Sequence, residues 1–183
     1  RAGARAERLE GFAYRVAGGA YGAAGAPGAI AVEPDWSSAA LVLAAGFVAG
    51  RDVRVPGLPP RGESLQGDAA FGGMLERLAM GGYQDFDLTG TPDLIAPLAA
   101  CALFGRGPVN IRGAGHTRLK ESDRLAVLAA AFRRLGVSVE EYPEGLRLAP
   151  LPATGPRDLV LDDAGDHRMA MAFGVLSLRL PGI

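Results

Sequence analysis

Lys120-Glu121-Ser122-Asp123-Arg124 and Asp166-His167-Arg168-Met169-Ala170 are the two places where this chain packs acids and bases into a single helical turn. Each stands at the mouth of an apolar stretch with helical periodicity. A helix start offers unpaired amide N–H groups and the positive end of the helix dipole, so it favours anions. Arginine adds a planar fork for a carboxylate or phosphate, and the neighbouring carboxylates can carry protons. The chemistry indicated is acid–base work on an anionic substrate. The same first block also fits an ordinary set of i,i+3 and i,i+4 surface charges with Ser122 as the helix cap.

A third acid stands at a comparable place. Asp93 follows Pro92, with Thr91 as the expected cap, so its carboxylate falls in a first helical turn. Pro97, four residues on, cannot donate to the Asp93 carbonyl, so the helix start there should be distorted or the carbonyl otherwise satisfied. Asp35, Ser37, Ser38 and Asp68 are expected to cap helices, Gly165-Asp166 to form a turn and cap, and Met169, Met171 and Phe173 to belong to the core. Cys101, the single cysteine, lies in an apolar run and reads as a buried thiol.

These residues need a scaffold, and an internal repeat supplies one. Asp35 precedes Ala39 to Ala49, closed by Gly50 and followed by the alternating Asp52-Val53-Arg54-Val55: a capped helix, a turn and a strand. Asp93, 58 residues later, precedes Leu94 to Phe104, closed by Gly105 and followed by Val109-Asn110-Ile111-Arg112. Asp166 opens a third copy that runs to Leu176 and toward Arg179. A second helix type alternates with the first, from Gln66-Gly67-Asp68 to Leu78 and from Glu121-Ser122-Asp123 to Leu135. In the latter, Leu125, Leu128, Phe132 and Leu135 mark an apolar face, and Arg133 and Arg134 sit in the last turn. Val137 to Glu140 and Leu146-Arg147-Leu148, around Tyr142-Pro143-Glu144-Gly145, read as a hairpin. The implied unit is strand, helix, strand, helix, hairpin. The first copy runs from Gly81-Gly82 almost directly into Phe86-Asp87-Leu88 and lacks most of its hairpin.

Composition narrows the partners. With 19 Lys+Arg against 20 Asp+Glu and a formal charge of −1, the chain lacks the basic excess that nucleic acid or an anionic membrane would require. Gly, Arg and Asp interrupt every apolar run before membrane-spanning length. A cytoplasmic protein is expected. The chain opens on Arg1 and closes on Leu176 to Ile183, which reads like the start of a strand, so a fragment of a longer protein is also expected.

Val32-Glu33-Pro34-Asp35-Trp36-Ser37-Ser38-Ala39, Ser64-Leu65-Gln66-Gly67-Asp68, Pro92-Asp93, Arg118-Leu119-Lys120-Glu121-Ser122-Asp123-Arg124-Leu125 and Asp166-His167-Arg168-Met169-Ala170-Met171 resemble, in order and spacing, the 5-enolpyruvylshikimate-3-phosphate synthase family. The two charged blocks carry most of that specificity. The resemblance implies an α/β fold of repeated βαβαββ units, the inside-out α/β barrel of enolpyruvyl transferases, incomplete at both ends. Residues 1–30 would be the tail of an N-terminal domain and 31–183 most of the C-terminal one.

The resemblance further implies transfer of the enolpyruvyl group of phosphoenolpyruvate to the 5-hydroxyl of shikimate 3-phosphate, with phosphate released and no metal or organic cofactor. Asp93 would hold the shikimate hydroxyls and act as base, and Glu121 would shuttle the proton at the methylene carbon. Lys120 would bind the shikimate hydroxyl or carry charge at the same site. Arg124 and Arg168 would clamp phosphoenolpyruvate, with His167 as neighbour, and His116, where the family often has Asn, would face the shikimate phosphate. Ligands from the N-terminal domain and a lysine beyond residue 183 would complete the site, so the fragment alone should be inactive and the intact protein a monomer that closes around its substrates. Two alternatives are a UDP-N-acetylglucosamine enolpyruvyl transferase, whose nucleophilic-cysteine loop has no counterpart here, and a non-catalytic anion-binding relative, against which the survival of Asp93 and Glu121 counts.

Overall fold

The computed structural model describes residues 5–11, 13–18, 32–153 and 158–183. The chain divides into two compact units, Arg1–Val32 and Glu33–Ile183. In the first, strands β1 (Ala6–Arg8) and β2 (Tyr14–Val16) pair antiparallel, Glu7 opposite Arg15.

The second unit carries the charged blocks. Its helices are α1 (Trp36–Ala49), α2 (Phe71–Met80), α3 (Ile95–Ala102), α4 (Arg124–Arg134) and α5 (His167–Ser177). Strands β3 (Gln84–Asp87), β4 (Val109–Arg112), β5 (Val139–Tyr142) and β6 (Gly145–Leu148) form one sheet in the order β3-β4-β6-β5. β3 and β4 run parallel, joined through α3, and β6 pairs antiparallel with both β4 and β5. Gln84 to Leu148 is therefore one complete βαβαββ unit, flanked by the helices of two others.

The three helices that recur in the sequence form the centre. α1, α3 and α5 pack on one another, α2 and α3 also touch the parallel strands β3 and β4, and α4 packs on β5 and β6. All eight residues of α3 are buried, which explains why its sequence has no polar face. Leu125, Leu128, Phe132 and Leu135 seat α4 in the same core. Gly50 closes α1 in the left-handed conformation with φ 65°, its amide donating to the Gly46 and Phe47 carbonyls.

Several expectations are corrected. Asp52–Val55 is not a strand, since β3 takes the sheet edge beside β4 and no neighbour pairs with that segment among the described residues. After α5 the chain turns and does not enter a strand. Met171 is 44% exposed, on the outer side of α5, whereas Met169 and Phe173 are buried. Thr91 makes no capping side-chain bond. Instead a 3-10 turn, Pro92–Leu94, precedes α3, which places Pro97 in the first turn of α3, where its missing N–H costs no hydrogen bond.

The hairpin is a tight fit on β4. A methyl group added at Gly145 would sit 1.8 Å from the Ile111 carbonyl oxygen and 2.8 Å from the Tyr142 hydroxyl. Backbone cannot yield there without breaking the β4–β6 ladder. Gly145→Ala should destabilise the fold by about 1–3 kcal/mol, the usual cost of overpacking. A urea midpoint equal to that of the wild type would contradict this reading of the hairpin.

Candidate functional site

The helix starts meet at one end of the second unit. Each acidic cap there follows from local rules: Asp35 accepts from the Ser37 and Ser38 amides at the start of α1, Asp123 from the Ala126 amide at α4, and Asp166 from the Arg168 amide at α5. Asp123, not Ser122, thus caps α4, which corrects the expectation. Ser122 is released to donate to Asp166 Oδ2 at 3.1 Å, a contact between α4 and α5.

Arg124 is the hub. Its side chain is 1% exposed, and all three of its nitrogens donate to carboxylates. Nε reaches Asp166 Oδ2 at 2.8 Å, Nη1 reaches Asp93 Oδ1 at 3.1 Å, and Nη2 reaches Glu121 Oε2 at 2.6 Å and Asp166 Oδ1 at 3.3 Å. Asp166 is fully buried, so this pair is sustained only because every oxygen of Asp166 has a donor. Burial pushes the Asp166 carboxyl up, but the Arg124 guanidinium, the Arg168 amide and Ser122 more than offset it and hold it below the ordinary carboxylate range. Burial works against the Arg124 cation too, and Asp166, Glu121 and Asp93 together raise it.

Asp93 is ringed by cations from three segments. Besides Arg124, Lys120 Nζ lies 3.6 Å from Oδ1 and Arg168 Nη2 lies 3.5 Å from Oδ2. Five of the seven residues expected from sequence, Asp93, Lys120, Glu121, Arg124 and Arg168, therefore share one network. His116 and His167 do not: both are exposed, and neither side chain makes a hydrogen bond or ion pair to the cluster among the described residues.

A second layer extends the site toward α1 and α2. The Ser37 hydroxyl donates to Asp68 Oδ2, and the Trp36 amide donates to Gln66 Oε1 at 2.9 Å. Asp68 is buried, and Gly67 lies against the Gly90 carbonyl and Thr91, just before Asp93. Burial raises the Asp68 carboxyl, Ser37 counters this in part, and the nearby Asp93 charge adds to the rise. The sign follows: ionisation of Asp68 opposes folding, a penalty absent below the ordinary Asp value of about 3.9 and imposed as pH rises through the higher folded-state value. Asp68→Asn, which cannot ionise, should raise the urea midpoint at pH 7 and leave it unchanged near pH 3. A fall at pH 7 would contradict the burial account.

The arrangement suits acid–base chemistry on anions: two partly exposed carboxylates, Asp93 and Glu121, stand against three cations, of which Arg124 is fixed by the buried Asp166 while Lys120 and Arg168 converge on Asp93. Cys101 takes no part. It is fully buried in α3, and burial alone pushes its thiol well up, so it is inert as a nucleophile. No helix among the described residues is long and apolar enough to cross a membrane.

Asp166 and the pairing of Ser37 with Asp68 were not legible as site features, because a capping Asp looks the same whether or not it faces an arginine. One signal was available. Arg124 stands four residues before Leu128, in register with the apolar stripe of α4, and a cation drawn into the core at such a place needs a carboxylate partner there, which is Asp166.

The model of the EPSP synthase (3-phosphoshikimate 1-carboxyvinyltransferase) family matches residues 10–183. The 3-phosphoshikimate 1-carboxyvinyltransferase of Nitrosomonas europaea is 40% identical over 173 residues, 85% of this chain and 40% of that protein. The protein of the same name from Nostoc punctiforme is 40% identical over 168 residues, 83% of this chain and 38% of the other. A solved EPSP synthase from Acinetobacter baumannii overlaps 52% of this chain and 22% of its own, with 26% identity and a TM-score of 0.47, too partial a likeness to bear on the fold. The chain spans about two fifths of the length of the curated relatives it matches. With the family match running over nearly its whole length, through both charged blocks and the βαβαββ unit between them, the chain belongs to the EPSP synthase family.

Proposed function

We propose that the intact protein carrying this chain transfers the enolpyruvyl group of phosphoenolpyruvate to the 5-hydroxyl of shikimate 3-phosphate, releasing phosphate. The observation that supports it best is the Arg124 hub, where the acid–base pair and the anion clamps meet in a family that carries this enzyme name. Residues 31–183 would supply one wall of the site and the rest of the protein the other, so this chain alone should not turn over.

In this reading Arg124 and Arg168 hold phosphoenolpyruvate. Four of the five Arg124 N–H donors are engaged, and both outward Nη atoms face Asp93 and Glu121, so the incoming anion competes with those two carboxylates for the fork. The exchange serves the chemistry. It frees Asp93 to accept the proton of the shikimate hydroxyl and Glu121 to deliver one to the methylene carbon and later remove it. Asp166 stays on Nε and keeps the fork aimed, while Lys120 neutralises charge beside Asp93 and orients the hydroxyl. His116 and His167, exposed at the rim, would contact substrate phosphate or carboxylate groups.

The experiment is phosphate release from phosphoenolpyruvate by the intact protein, with shikimate 3-phosphate present or withheld and glyphosate as a competitor. Release that depends on shikimate 3-phosphate is the expected result. A folded protein that releases none, or that accepts a UDP-linked amino sugar instead, would overturn the assignment.

A further inference from the structure

Arg118, two residues before Lys120, lies outside the cluster just described, yet its guanidinium makes more directed contacts than any other side chain in the segment. Nη1 bridges both oxygens of Asp123, at 3.0 and 2.9 Å, and Glu141 Oε1 at 3.0 Å. Nη2 donates to the Tyr142 carbonyl at 2.9 Å and Nε to the Pro143 carbonyl at 3.1 Å. One residue thus joins three things: the 3-10 turn Gly115–Leu119 that leads into Lys120-Glu121, the residue that caps α4, and the turn of the β5–β6 hairpin.

The hairpin is itself anchored. The Ala114 amide donates to the Glu144 carbonyl at 2.9 Å, the Tyr142 hydroxyl lies 2.7 Å from Asn110 Oδ1 and 2.8 Å from the Ile111 carbonyl oxygen, and Gly145 packs on the Ile111 carbonyl. Between Arg118 and Asp123 the side chains of Lys120, Glu121 and Ser122 reach Asp93, Arg124 and Asp166, but the backbone itself has few anchors. Leu119 is 90% exposed, and the backbone bond from Lys120 to the Thr117 carbonyl is long at 3.4 Å. Lys120 and Glu121 therefore sit on a short span fixed at both feet by the same guanidinium.

We propose that Arg118 is a positioning residue for Lys120 and Glu121, an inference that rests on the functional reading above. It touches no reacting atom. It sets where the Glu121 carboxylate stands, and a displacement of about 1 Å at a proton-transferring group can cost a hundredfold in rate. Arg124 is held separately by Asp166 on α5, so the grip on phosphoenolpyruvate is independent of this clamp.

That separation gives the test. In the intact protein, Arg118→Ala should lower kcat tenfold or more while KM for phosphoenolpyruvate changes less than twofold, and amide hydrogen exchange should accelerate across residues 119–122. Arg118→Lys should restore only part of kcat, because one ammonium cannot reach five acceptor atoms spread over four residues. Arg147→Ala, which removes an exposed pair with Glu140 across the same hairpin, should leave kcat unchanged. If Arg118→Ala lowers thermal stability but keeps wild-type kcat, or if KM for phosphoenolpyruvate rises as steeply as kcat falls, the proposal is overturned. Should Arg118→Ala not fold, Arg118→Lys carries the same kcat and KM comparison. A wild-type protein without turnover would defeat the functional reading, and hydrogen exchange of residues 119–122 would still decide whether Arg118 holds that span.

Discussion

Glu121→Gln and Asp93→Asn should each cut turnover of the intact protein by about 100-fold to 10,000-fold, the range of a lost general acid or base. The amides keep the size and one acceptor oxygen of each side chain, so Arg124 retains a partner at both places while the proton-carrying function is gone. Both residues are partly exposed and belong to no buried pair that depends on them alone, since Asp166 continues to neutralise Arg124. Folding should therefore survive, with the urea midpoint close to that of the wild type. KM should respond differently in the two variants. Asp93 is ringed by Lys120, Arg124 and Arg168 and is proposed to touch the shikimate hydroxyls, so its amide should also weaken that substrate, whereas the Glu121 amide should act on kcat alone. Near-normal turnover in both variants would remove the assigned roles.

Asp166→Ala should have the opposite profile, with stability as its main casualty. It leaves the most deeply buried cation among the described residues without its two-pronged partner, and breaking a buried pair from one side costs about 3–5 kcal/mol. Ser122 and the first turn of α5 lose their acceptor in the same step, so the contact between α4 and α5 loosens. The pH dependence follows from the depressed carboxyl of Asp166. Its contribution is complete above the ordinary Asp value of about 3.9 and is lost as pH falls through the lower folded-state value. The wild type should thus show an acid limb below about pH 4 that the variant lacks. Urea midpoints for both proteins between pH 2 and 7 decide it. A variant within 1 kcal/mol of wild type at pH 7 would mean that Asp93 and Glu121 suffice to neutralise Arg124.

The repeat that organises the fold was legible because its punctuation is chemical. Asp35, Asp93 and Asp166 stand before apolar runs, Gly50 ends one with a left-handed residue, and Pro143-Glu144 turns a hairpin between alternating strands. Asp52-Val53-Arg54-Val55 had the alternation of a strand without forming one, since alternation describes a half-buried surface and says nothing of whether a partner edge lies beside it. The site was legible as two charged blocks and one acid. What sequence left out was their wiring. That Asp123 and not Ser122 caps α4, that Ser122 turns to Asp166, and that Arg118 reaches the hairpin turn are choices among donors and acceptors a few residues apart, settled by packing 24 to 44 residues away.

The most direct measurement follows deuterium in the methylene group of the enolpyruvyl product when the intact protein turns over phosphoenolpyruvate and shikimate 3-phosphate in deuterated water. If Glu121 adds and removes a proton at that carbon, the wild type should place solvent deuterium there and Glu121→Gln should not, beyond its residual turnover. Product formed by the wild type without deuterium in the methylene group, or washed in as fast by Glu121→Gln, would contradict the account.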